Sequence, residues 1–110
     1  MPEIRFFVAR DQGAPVGCVA LMRCDGYGEV KRLYVNQSGR GKGIARALMA
    51  ALKWDARAQG LAVVRLETGP GLVAAIALYH SLGYRTCGRF GDYADHPASL
   101  FMEKHLGDAP

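Results

Sequence analysis

The run Arg40-Gly41-Lys42-Gly43-Ile44-Ala45 is where residue type and spacing point most directly to chemistry. Glycines adopt left-handed conformations and let a ligand approach the main chain closely. Arg40, Lys42 and Arg46 add positive charge around the same spot. At the entry to a helix, such a run offers unpaired N–H groups and the positive end of the helix dipole. A pyrophosphate is the natural guest. Spacing excludes two familiar phosphate binders. No Gly-Lys is followed by Ser or Thr, as a P-loop requires. A dinucleotide fingerprint needs Gly or Ala at its sixth position, but counting from Gly39 gives Ile44 and from Gly41 gives Arg46.

The elements that position this run follow from periodicity. Ile4 to Arg10, Val16 to Arg23 and Glu29 to Val35 read as strands, separated by turn signals at Asp11-Gln12-Gly13-Ala14-Pro15 and around Asp25-Gly26. Three such strands make an antiparallel meander. In the third, strict alternation puts Val30, Arg32 and Tyr34 on one face and Glu29, Lys31, Leu33 and Val35 on the other. From Gly41 to Gln59 the period becomes helical, with Ile44, Leu48, Met49, Leu52 and Ala56 on one stripe. Gly60 fits the stop. Leu61 to Thr68 is a strand. Val73 to Leu82 is a short helix, with Ala75, Leu78, Tyr79 and Leu82 on its apolar side. Tyr84 to Gly88 and Ser99 to Leu106 are final strands. The order βββ-α-β-α-ββ predicts an α/β (α+β) architecture: a mixed, mostly antiparallel sheet flanked by helices, in one domain over residues 1–110.

These blocks, in this order, resemble the GNAT superfamily of N-acetyltransferases. Its acyl-CoA signature is Gln or Arg, two free positions, Gly, one free position, then Gly or Ala; Arg40, Gly43 and Ala45 satisfy it. Glu29-Val30-Lys31-Arg32-Leu33-Tyr34-Val35 is similar to the family's fourth strand and Leu66-Glu67-Thr68-Gly69 to its fifth. Ala74-Ala75-Ile76-Ala77-Leu78-Tyr79, followed by Leu82-Gly83-Tyr84, is similar to its second conserved block.

The resemblance implies acetyl transfer from acetyl-CoA to a primary amine, by direct attack on the thioester. Backbone amides of Gly41, Lys42, Gly43, Ile44, Ala45 and Arg46, with Arg40 beside them, would hold the pyrophosphate. Main-chain groups of Leu33, Tyr34 and Val35 would bond the pantetheine arm, admitted by a splay between the third and fourth strands of this chain. One N–H near Leu33 would serve as oxyanion donor. The side chains of Leu33 and Val35 also read as plain core.

Tyr79 takes the place of the family's general acid, or is simply a core aromatic. Glu29 is the candidate base, or a surface carboxylate at a strand edge. Asp92 and Tyr93 read as a polar surface loop, with lining of the acceptor site as the alternative. Two departures stand out. Leu72 occupies the place where an asparagine commonly precedes the tyrosine. The family also ordinarily opens with a strand and two helices, whereas this chain starts at what corresponds to the second strand. An uncovered apolar sheet face is therefore expected, favouring a homodimer.

Composition limits the rivals. Half of the 110 residues are hydrophobic and the net charge is +4. Cys18, Cys24 and Cys87 form no Cys-x-x-Cys pair, and His80, His96 and His105 have no ligand spacing, so neither a disulfide framework nor a metal site is expected. No long apolar run suggests a membrane span, and the expected compartment is the cytoplasm. A non-catalytic CoA-binding or regulatory module is the alternative function. Nucleic-acid binding is not expected, since the basic cluster is local and no recognition helix or aromatic platform accompanies it.

Overall fold

The computed structural model describes residues 3–107. Six strands and two α-helices follow one another as β1 (Ile4–Asp11), β2 (Ala14–Arg23), β3 (Gly28–Val35), α1 (Ile44–Ala58), β4 (Val63–Thr68), α2 (Val73–Ser81), β5 (Arg85–Cys87) and β6 (Leu100–His105), with a 3-10 turn at Gln37–Gly39. The expected order holds. The sheet runs β1-β2-β3-β4-β6-β5 and is antiparallel throughout except at β3–β4.

Both helices cover one face of the sheet. Leu48, Met49, Leu52 and Ala56 of α1, with Tyr79 of α2, pack on Val19, Leu21, Val30, Val64, Leu66 and Met102. α1 ends as its sequence predicts: Gly60 takes φ 79°, and the Leu61 N–H closes onto the Ala56 carbonyl. Its start differs from expectation. Gly41 and Gly43 hold φ of 79° and 75°, so the chain turns through 40–43 and becomes helical only at Ile44.

The opposite face carries no helix. Loop 88–99 covers its β4–β6 half, where Phe90 packs against Tyr27, Tyr93 and Phe101 with ring centroids 5.4–5.5 Å apart. Over β1 the same face is open: Ile4, Phe6 and Val8 point outward, with Phe6 66% exposed.

The alternation expected for β3 is broken by a bulge. Tyr34 pairs with Cys18 and Lys31 with Ala20, so Arg32 and Leu33 together oppose Val19. Arg32 takes a left-handed φ of 58°. Leu33 and Val35 therefore join Val30 against the helices, and Glu29, Lys31 and Tyr34 share the helix-free face.

Tyr27, Tyr79 and Tyr84 are buried, and burial raises all three phenols, Tyr27 to about 12. The unfolded chain releases these protons near pH 10, while the folded chain keeps them. Their contribution is complete below about pH 10 and is lost as pH rises through the folded values. The urea midpoint is thus expected to be lower at about pH 11 than at about pH 8; an equal or higher one contradicts it.

Candidate active site

β3 and β4 share only two registered pairs, Gly28 with Val64 and Glu29 with Arg65. Beyond Glu29 they separate. The opening holds a cleft of about 310 Å³, bounded by Val30, Arg32 and Leu33 on one side, Leu66 and Thr68 on the other, and Tyr79 with Leu72 from above. From Val30 onward this edge of β3 has no strand partner among the described residues, and the bulge takes Arg32 and Leu33 out of regular pairing on its other edge. The main chain of β3 beyond Glu29 thus borders the cleft on an edge without a strand partner among the described residues.

Tyr79 is 7% exposed, yet it borders this cleft. Its ring tilts against Tyr84 at 5.9 Å. No partner for its hydroxyl is present among the described residues. Burial raises its pKa, so the proton is held at neutral pH. Both readings of Tyr79 meet here: the ring is core and the hydroxyl reaches a cleft. Leu72 lies beside it, with its side chain against Gly69.

A second cleft of about 250 Å³ lies at the end of β3 and the start of α1. Val35, Arg40, Gly41, Gly43, Ile44, Ala45, Arg46 and Leu78 bound it. Gly41 and Gly43 are left-handed and lead into the open first turn of α1; such alternation of left-handed glycines with ordinary residues is the backbone pattern of anion-binding nests. A Cβ on either Gly41 or Gly43 would meet nothing within 4 Å. Backbone conformation and an open approach, not crowding, explain these glycines.

The cations ring the nest. Arg46 reaches the Ser81 hydroxyl at 2.7 Å and so ties α1 to α2, while Arg40 Nε donates to the Val35 carbonyl at 3.3 Å. Lys42 turns away to Asp11 at 3.2 Å. Asn36 holds the approach, accepting from the Gly39 N–H and the Ser38 hydroxyl and donating to the Pro15 carbonyl. The sequence reading missed Asn36; its signal was an Asn three residues before a glycine, the pattern of a capped turn.

Glu29 lies on the other face, at the closed end of the opening. It is 3% exposed, which overturns the reading as a surface carboxylate. The Tyr93 hydroxyl donates to its Oε2 at 2.6 Å, and Lys31 Nζ lies 3.1 Å from the same oxygen. Lys31 also donates to the Tyr93 hydroxyl at 3.0 Å. Its pKa is raised, first by the Tyr93 bond and then by Glu29, so it remains an ammonium. A pocket of about 520 Å³ opens over this group, walled by Tyr27, Arg23, Met22 and the loop residues Asp92 and Tyr93. The loop thus lines a pocket through Gly91, Asp92 and Tyr93. Tyr34 joins neither cleft through its side chain, which stands exposed. Tyr79 and Glu29 do not share a cavity; they flank the β3–β4 opening from opposite faces. Among the described residues no cluster of His, Cys, Asp and Glu could hold a metal, and no helix is long and apolar enough to cross a membrane.

The profile of the acetyltransferase (GNAT) domain family matches residues 2–86. An IAA acetyltransferase of Azospirillum brasilense is 48% identical over 107 residues, which are 96% of this chain and 70% of that protein. The N-acetyltransferase YsnE of Bacillus subtilis is 35% identical over 96% of this chain and 72% of its own length. A solved structure from Klebsiella pneumoniae, assigned as an acyl-CoA N-acyltransferase, superposes with a TM-score of 0.90 at 42% identity, covering 94% of this chain and 72% of that one. With this agreement across its length, its motif and its fold, the chain belongs to the GNAT acetyltransferase family and is an acyltransferase.

Proposed function

We propose that residues 1–110 act as a single N-acetyltransferase domain that moves the acetyl group of acetyl-CoA to a primary amine. The observation that carries this is the glycine turn at the start of α1 together with the β3–β4 opening, which Tyr79 and Glu29 flank from opposite faces. A pyrophosphate sits on the amides of Gly41–Arg46. The pantetheine arm runs along Leu33, Tyr34 and Val35 as an added strand and delivers the thioester to the mouth of the opening.

The residues then divide the work. An alkylammonium near pKa 10.4 costs about 4–5 kcal/mol to deprotonate at pH 7, so a base must take its proton. Glu29 takes it. The freed nitrogen attacks the thioester carbonyl, whose oxygen is met by the N–H near Leu33. The C–S bond breaks, the sulfur takes the Tyr79 proton, the nitrogen sheds its second proton to solvent as the amide forms, and Tyr79 regains a proton from solvent. Sulfur departs tolerably as a thiolate, so the acid contributes at the low end: Tyr79→Phe is expected to slow single-turnover transfer by roughly 10²-fold with acetyl-CoA affinity preserved. An unchanged rate removes Tyr79 from the reaction.

The test of the whole reading is calorimetric titration with acetyl-CoA, followed by an amine panel monitored for released CoA thiol. Absence of acetyl-CoA binding overturns it. Binding without transfer to any amine leaves a CoA-binding module instead. The cytoplasm is the proposed compartment. We also propose a homodimer through the open strip at Ile4, Phe6 and Val8; a monomer at every concentration in sedimentation equilibrium overturns that.

A further inference from the structure

Resting on the reading of Glu29 as the base, we propose that the acceptor is a small amine that also bears a carboxylate, an amino-acid-like zwitterion, and that Lys31 selects it. The pocket over Glu29, at about 520 Å³, suits a molecule of that size. Its charges are mixed: Lys31 is a cation in the wall, and Glu29 and Asp92 are carboxylates. Both contacts to Glu29 fall on Oε2, which leaves Oε1 without a side-chain partner among the described residues. An acceptor amine can donate there.

A plain alkylammonium meets an obstacle at that point. The carboxylate it needs is already compensated by Lys31 at 3.1 Å, and the incoming positive charge faces the Lys31 ammonium. A carboxylate on the acceptor removes the obstacle. Lys31 uses two of its three N–H donors on Tyr93 and Glu29, and the third remains for an acceptor anion. Arg23 pairs with Gly28 and turns to the helix-bearing face, where its guanidinium bonds Gln59 at 3.3 Å, so the acceptor's anion falls to Lys31. Because Lys31 Nζ and Glu29 Oε2 stand 3.1 Å apart, the amine and carboxylate they receive belong on neighbouring carbons, not at opposite ends of a long chain. Met22 supplies an apolar wall for the acceptor's side chain.

The test uses pairs that differ only in the carboxylate: L-phenylalanine with 2-phenylethylamine, and L-methionine with 3-(methylthio)propylamine. Each is titrated calorimetrically into the CoA-saturated protein and assayed for CoA release from acetyl-CoA. The carboxylated member is expected to bind at least ~10-fold tighter and to show at least ~10-fold higher kcat/KM. Lys31→Met is expected to bring both ratios near one, Lys31→Arg to keep them, and Arg23→Met, whose guanidinium lies at Gln59 on the other face of the sheet, to leave them unchanged. Equal or reversed ratios in the unmodified protein, or no binding of any of the four compounds, overturn the assignment. Preferential, Lys31-dependent binding without CoA release upholds the selectivity and overturns the transferase reading instead.

Discussion

Glu29→Gln is expected to lower amine acetylation near neutral pH by roughly 10²–10⁴-fold, the full range of general-base catalysis, with acetyl-CoA affinity little changed. The substitution keeps the shape of the side chain and an oxygen for the Tyr93 hydroxyl, which donates to Glu29 at 2.6 Å. It removes only the ability to accept a proton and the charge that Lys31 faces. The signature lies in pH. As pH approaches the acceptor's own pKa near 10, solvent supplies the free amine and the base becomes dispensable. The deficit of the variant is therefore expected to shrink between about pH 7 and pH 9.5. A constant deficit across that range would mean that Glu29 only holds structure. The upper limit keeps the measurement below the region where the buried tyrosines begin to destabilise the fold.

Leu52→Ala is expected to destabilise the protein by about 2–5 kcal/mol, a large share of the roughly 5–15 kcal/mol that holds a domain together. Leu52 is 0% exposed at the centre of the helix–sheet core, where its removal leaves a cavity that the close-packed strands cannot fill. Trp54, two residues along the same helix, is 67% exposed. Trp54→Ala is expected to stay within about 0.5 kcal/mol, despite deleting a larger side chain. Urea unfolding of the two variants side by side checks the pair. Similar losses in both would place the core elsewhere.

That contrast was legible in the sequence, because the 3.6 period of Ile44, Leu48 and Leu52 assigns the buried face of α1 and leaves Trp54 outside it. Strand order and turn positions were legible for the same reason: periods change and glycines punctuate. What escaped was local geometry that residue type does not announce. Arg32 gives no hint of a left-handed φ, so strict alternation put Leu33 and Val35 on the wrong face of β3. Gly41 and Gly43 are silent in the apolar pattern, so the helix was begun one turn early. The contact between Tyr93 and Glu29 joins residues 64 positions apart, across a loop with no period at all. Lys31 left a faint trace, since it stands two residues from Glu29 and hence on the same side of a strand. Its role needed the loop to be in place.

The two-pair contact between β3 and β4, against six pairs between β4 and β6, has a mechanical consequence. The sheet behaves as a booklet: one leaf is β1–β2–β3, with α1 lying mainly over it, the other is β4–β6–β5, and the spine is Gly28–Glu29 against Val64–Arg65. A spine this short yields before either leaf does, so breathing of the native state starts there and not at the outer strands. Anything lodged between the leaves acts as a wedge that stiffens both. In hydrogen–deuterium exchange the spine amides are then the ones whose protection changes most between the empty and the loaded molecule.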